Sequence, residues 1–244
     1  MTLLVLALVV LALGGLGALV AGRSPRFSSG IGVASAWAGA GLGIVPALRV
    51  LAGGEVGRIE LPWAVPGGSF SLGIDPLSAF FLVPVLAIPA LVAVYGAEYL
   101  LAEARHKRLG AAWLWLNLLT ASMAVVVTAR NGLLLLVAWE AMALSSGFLV
   151  LFHHERDAVR RAGWIYLVAT HLGTAFLLVL FGLLASQAGS LDFERWQAPA
   201  AGAGGLFLLA VVGFGVEAGV VPLHAWLPEA RRAPRRRRDG RAQS

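Results

Sequence analysis

Four ionisable side chains stand where the surrounding residues are apolar. Glu140 sits within Leu134-Leu-Leu-Val-Ala-Trp-Glu-Ala-Met-Ala-Leu-Ser-Ser146, Glu217 within Val211-Val-Gly-Phe-Gly-Val-Glu-Ala-Gly-Val-Val-Pro222, and His171 within Leu167-Val-Ala-Thr-His-Leu-Gly-Thr174. Glu98 lies within a turn of the end of a fourth apolar run. An ionisable group inside a membrane span costs several kcal/mol and is a functional candidate by default. A carboxyl removed from water is harder to ionise, which suits a group that must take up and release protons. Each position also has a bland reading. Glu98 can snorkel to the interface, His171 can be an interhelical hydrogen-bonding group, and Glu140 and Glu217 can be neutral packing contacts. His153 and His154, beside Glu155, Arg156 and Asp157, read as a solvated helix end. Pro222 follows Glu217 by five residues, with Gly213, Gly215 and Gly219 around it. Proline removes a backbone hydrogen bond, and helices broken beside an ionisable residue are a recurring device of ion transporters.

The elements that must hold these groups are membrane spans. The chain has 244 residues, 59% hydrophobic and 13% charged, against about 45–50% and about 25% for soluble domains. A span needs roughly 20 apolar residues. Seven runs qualify, near 2–22, 29–52, 76–101, 111–129, 132–152, 162–187 and 204–227, so the fold class is all-α and polytopic, with the last helix broken near Pro222. A cleaved signal peptide is disfavoured for the first run, because no basic segment precedes it and no good cleavage site follows. There is no cysteine, which excludes disulfides, thiolate metal sites and cysteine nucleophiles. The net charge of +6 is not a nucleic-acid signal, because seven arginines fall within the last fourteen residues.

Connections one, three and five carry eight Lys and Arg residues, and the opposite side four. The positive-inside bias puts the N-terminus outside and the C-terminus in the cytoplasm, in the cell inner membrane. Residues 53–75, GGEVGRIELPWAVPGGSFSLGID, read as an external β-hairpin or an interfacial loop carrying Trp63. The stretches Gly39-Ala-Gly41-Leu-Gly43 and Ala201-Gly-Ala-Gly-Gly205 are expected to let helices approach closely. A nucleotide-loop reading of these glycines fails, since no strand precedes them. The chain divides into a three-helix segment over 1–101, a four-helix segment over 111–230 and a basic tail over 231–244.

Asp75-Pro-Leu-Ser78, Trp139-Glu-Ala-Met-Ala-Leu-Ser-Ser146, Thr170-His-Leu-Gly-Thr-Ala-Phe176 and Pro222-Leu-His-Ala-Trp-Leu-Pro-Glu-Ala230 resemble the antiporter-like membrane subunits. These occur in NADH–quinone oxidoreductase, multisubunit sodium/proton antiporters and membrane-bound hydrogenases, and the chain looks most like component B of hydrogenase-4 or formate hydrogenlyase complexes. The resemblance covers about residues 1–234. It implies fourteen helices with two inverted five-helix repeats, each with a broken helix. It also implies a proton-carrying glutamate on the fifth helix, which Glu140 matches, and a lysine on the broken seventh, where this chain has Glu217. Glu98 and His224 are secondary candidates.

A second departure is length. The second repeat and the end of the first are missing, so an incomplete, C-terminally truncated antiporter-like fold is expected. The tail, with six arginines in eight residues after Ala230, reads as a reading-frame product of GC-rich DNA or, as the rival, as an anionic-lipid-binding segment. If it is a frameshift, genomic DNA downstream of codon 230 should encode the missing helices.

The resulting expectation is a proton-translocating membrane subunit of a hydrogenase or quinone-reductase complex. Glu140, Glu217 and His171 would form its pathway, and its partners would be membrane subunits and soluble redox subunits. The chain is expected to bind no cofactor and no metal and to supply no redox centre itself. The rivals are a non-conducting structural anchor and a stand-alone cation/proton antiporter.

Overall fold

The computed structural model describes residues 1–55, 57–61, 63–65, 67–103, 107–197 and 202–220. Pro222 and His224, the end of the seventh expected span and the basic tail all lie outside the described residues. Seven helices run in sequence: α1 (Thr2–Val20), α2 (Pro25–Leu51), α3 (Pro76–Glu103), α4 (Gly110–Thr128), α5 (Gly132–Val150), α6 (Asp157–Ala188) and α7 (Ala203–Ala218). The first six are long and apolar enough to cross a membrane, and α7 is a shorter apolar helix of 16 residues. Its end is built by Gly219 at φ +67. The Gly219 N–H donates to Val216 O at 3.2 Å and the Val220 N–H to Gly215 O at 3.0 Å, the paired bonds of a glycine-terminated helix. The helix therefore stops just after Glu217.

Between α2 and α3, β1 (Gly57–Leu61) pairs antiparallel with β2 (Phe70–Ile74), with Ile59 opposite Leu72. The hairpin is not a loop lying on the surface. Leu72 and Ile74 are fully buried and join the core formed by Leu4, Leu11, Leu82, Leu86 and Leu134. Phe70, Leu72 and Ile74 share one face of β2 and carry it into the core, while Ser71 and Gly73 are small enough to be covered on the other face.

The hairpin organises one end of the bundle. The Arg130 N–H donates to Ser71 O at 2.9 Å, and Arg130 Nη2 pairs with Asp75 at 2.9 Å and donates to Ser78 Oγ at 3.1 Å. Burial pushes the Asp75 carboxyl up, but the Ser78 N–H and hydroxyl and the Arg130 charge outweigh it and hold it below its ordinary value. Asn131 caps α5 by accepting from Leu133 N and Leu134 N, and donates to Asp192 at 2.8 Å. That bond, with help from Ser69 and Ser190, keeps Asp192 low as well. At the opposite end Gly22 faces Gly110, and Lys107 pairs with Glu155 at 2.9 Å. Connections one, three and five thus share one end, and two, four and six the other.

Small residues set the helix spacing unevenly. A Cβ on Gly39 or Gly43 would meet Leu11 or Leu86 at 2.6 and 2.4 Å, as the sequence suggests. Gly202, Gly204 and Gly205 have no described atom within 4 Å of such a Cβ. They open α7 at the edge of the bundle, so that small-residue stretch is not a helix–helix seam among the described residues. Another close approach is at Gly32, where a Cβ would lie 2.4 Å from Trp113, a fully buried ring whose Nε1 donates to Ser29 Oγ at 3.1 Å. Gly32→Val should destabilise the helical bundle by about 1–3 kcal/mol, the usual cost of overpacking. Gly30→Ala, in open space, should not. Thermal unfolding in detergent distinguishes them; equal melting temperatures for the two variants would contradict the packing argument.

Candidate functional site

The polar site lies between α5, α6 and α7. Asn131 fixes the start of α5, and the short Leu151–His153 turn sends the chain back as α6. The two helices are therefore antiparallel, which brings Glu140, in the middle of α5, to His171, in the middle of α6. Glu140 Oε2 lies 3.4 Å from His171 Nε2. His171 Nδ1 lies 2.7 Å from Leu167 O. A carbonyl can only accept, so Nδ1 carries the hydrogen, and Nε2 of a neutral ring is then an acceptor. The contact with Glu140 brings together two groups that can each carry an exchangeable proton.

Glu217 comes from α7. Its Oε1 accepts from Tyr166 Oη at 3.3 Å, while its Oε2 is buried with no hydrogen-bond partner among the described residues. Glu140 and His171 both lie within electrostatic reach of Glu217. Tyr166, on α6 and buried, also hydrogen-bonds Ser146 Oγ on α5. The indole Nε1 of Trp139, next to Glu140, is buried with no hydrogen-bond partner among the described residues, and its ring meets Phe214 of α7 edge-on at 5.3 Å. Leu136, Leu177, Leu180, Phe181 and Leu206 form the apolar layer beside this site. Low-dielectric surroundings make every exchangeable proton in the site count.

Three of the sequence candidates are thus brought together and the rest are not. Glu140 and Glu217 share no direct bond; each meets a different proton-carrying group. His171 is half-exposed on the flank of α6, so it is neither a sealed interhelical histidine nor remote from the carboxylates. Glu98 is exposed and lines a separate surface cavity with Ser24, Pro25, Arg26 and Leu101. The interfacial reading of Glu98 fits that position better than a place beside Glu140. Tyr166 and Ser146 were not legible as site residues. Ser146 lies in a motif but looks like one more helical serine, and Tyr166 sits in an apolar run with no spacing signal that ties it to Glu217.

Residues 129–236, which include Glu140, Ser146, Tyr166, His171 and Glu217, match the family model for NADH:quinone oxidoreductase/Mrp antiporter transmembrane regions. This stretch of the chain carries that family's sequence pattern. Among antiporter-family relatives, it is 33% identical over 163 residues to hydrogenase-4 component B of Escherichia coli, covering 66% of this chain and 24% of that protein. It is 31% identical over 241 residues to NADH-quinone oxidoreductase subunit L of Mycobacterium tuberculosis, covering 93% of this chain and 38% of that one. An uncharacterized Mycobacterium tuberculosis protein is 37% identical over 83% of this chain and 30% of its own length. The chain therefore spans well under half of each of these relatives. The Mrp complex of Dietzia sp. DQ12-45-1b contains the same helical arrangement at a TM-score of 0.75 and 25% identity, over 94% of this chain and 25% of that one. As an antiporter-family fold, the α5–α7 group is a membrane-embedded cluster, and its polar side chains are held by helices rather than by loops.

Proposed function

We propose that this chain serves as part of a membrane subunit that moves protons, driven by redox chemistry in partner subunits, and that Glu140, Glu217 and His171 lie on its pathway. The observation that carries this reading is the 3.4 Å contact of Glu140 with His171, two proton-carrying groups, within electrostatic reach of a second carboxyl, Glu217. The relatives support it, because their names belong to hydrogenase and NADH–quinone oxidoreductase complexes. In this reading the chain itself binds no cofactor; its residues supply exchangeable protons and an apolar wall around them. Its partners are other membrane subunits and soluble redox subunits of the same complex. The test is to isolate the chain from its membrane and follow pH in proteoliposomes during redox turnover. Co-isolated redox subunits with proton movement support the reading. Turnover without proton movement would make the chain an anchor, and a lone chain that exchanges cations for protons would make it a free-standing antiporter.

The same reading places the chain in the cell's inner membrane, with the hairpin outside and the end carrying Lys107 and Glu155 in the cytoplasm, because the latter connections hold eight of the basic residues. Single cysteines test it in this cysteine-free chain. Ala158 and Glu55 are both exposed, at opposite ends; Gly110 and Asp192 serve less well, being packed against Ala18 and bonded to Asn131. In intact cells an impermeant thiol reagent should label Glu55→Cys and spare Ala158→Cys. The reverse pattern would invert the topology.

A further inference from the structure

Tyr166 has two partners on two different helices, Ser146 on α5 and Glu217 on α7. A buried tyrosine that only needed its hydroxyl satisfied would require one. Ser146 also has an alternative acceptor, Ala143 O at 3.2 Å, so its hydrogen can point in either of two directions. Its neighbour Ser145 bonds only the carbonyl of Ala141, at 2.6 Å, which is the ordinary way a helix satisfies a serine. Ser146 lies four residues before the end of α5, about 6 Å along the axis, and Tyr166 lies about 7 Å nearer than His171 to the start of α6. Ser146 therefore lies nearer than Tyr166 to the end of the bundle that holds Lys107 and Glu155, and Tyr166 links it to Glu217.

We propose that Ser146 and Tyr166 form a reversible hydroxyl relay that passes protons between that end of the bundle and Glu217. This rests on the proton-pathway reading above and adds the route by which Glu217 is loaded. With Glu217 ionised, Tyr166 donates to its Oε1 and Ser146 donates to the Tyr166 oxygen. A proton arriving at Ser146 Oγ lets Ser146 release its own to Tyr166 and Tyr166 release its own to Glu217. One proton enters and one O–H bond forms on the carboxyl. At the two hydroxyl oxygens one O–H bond breaks and another forms, so the charge that enters is neutralised at Glu217. The chain of bonds is now reversed: Glu217 donates to Tyr166, Tyr166 to Ser146, and Ser146 to Ala143 O. The second acceptor at Ser146 gives the reversed state a place for its last hydrogen. Rotation of the two hydroxyls, after Glu217 passes its proton on, restores the starting arrangement.

The test uses the assembled complex in proteoliposomes with Tyr166→Phe, Ser146→Ala and Ser146→Thr, beside Glu140→Gln as the reference for the wider pathway. Tyr166→Phe and Ser146→Ala should each slow proton translocation by roughly 100-fold, the lower end of what a positioned proton carrier contributes. Ser146→Thr, which keeps a hydroxyl, should recover most of what Ser146→Ala loses. Infrared difference spectra provide a readout that packing alone would not move. The protonated Glu217 carbonyl band, assigned by its loss in Glu217→Gln, should shift to higher frequency in Tyr166→Phe. If Glu140→Gln stops translocation while Tyr166→Phe and Ser146→Ala run at the parent rate, the relay is wrong and the pathway reading stands. If Glu140→Gln also runs at the parent rate, the pathway reading itself falls. Equal loss in Ser146→Ala and Ser146→Thr, with an unmoved carbonyl band, would assign both hydroxyls to packing and overturn the relay.

Discussion

Glu140→Gln should stop proton translocation by the assembled complex while leaving assembly intact. The amide has the shape of the acid and can still donate to His171 Nε2, 3.4 Å away in the parent chain, so the α5–α6 contact survives. What disappears is a carboxyl beside His171 that can take up and release a proton. An amide cannot give up or accept that proton near neutral pH, and His171 is left with a partner of fixed hydrogen content. A positioned proton carrier contributes about 10²–10⁴-fold in rate, so translocation should fall by about 100-fold or more. The measurement is lumen pH against electrons transferred in proteoliposomes, with complex yield as the assembly control. Proton movement at the parent rate would remove Glu140 from the pathway. Loss of the whole complex from the membrane would show instead that Glu140 is a packing group.

The second large effect is expected at Glu217, and its sign depends on what replaces the acid. Glu217→Ala removes the acceptor of the Tyr166 hydroxyl and the group within reach of Glu140, and should cost about 10–100-fold in translocation. Glu217→Lys should be far milder and is expected to retain or raise coupling. An ammonium in place of the carboxylate attracts Glu140 where a second acid repels it, and it can donate to the Tyr166 oxygen in place of accepting from it. The family resemblance, which implies a lysine at this position, points the same way. Parallel measurement of the two variants decides between charge and shape. If lysine is as damaging as alanine, the site depends on a carboxyl at position 217 and the acid is the working group of this chain.

The sequence by itself determined the medium and the candidates. Apolar runs of span length, broken by only a few ionisable residues, admit no soluble fold, because a charge far from water is costly wherever the helix packs. That argument needs only local composition, which is why Glu140, Glu217 and His171 could be singled out before any helix was placed. The helix stop beside Glu217 came from the structure: the sequence placed a break near Pro222, outside the described residues, whereas α7 ends at Gly219, whose φ of +67 a glycine tolerates at no steric cost. The motifs also sufficed to indicate the family.

Only the tertiary structure decided which polar groups meet. The pairing of Glu140 with His171 depends on how far α6 slides along α5, and no residue type encodes that displacement. The partnership of Tyr166 with both Ser146 and Glu217 requires three helices at once. The hairpin tells the same story: its strands were legible, but the burial of Leu72 and Ile74 and the Arg130 bonds to Asp75 and Ser71 were not. Those contacts join residues more than fifty positions apart. Hydrophobic and strand patterns report on the nearest few neighbours, whereas contacts across helices are set by side-chain packing that local patterns leave open.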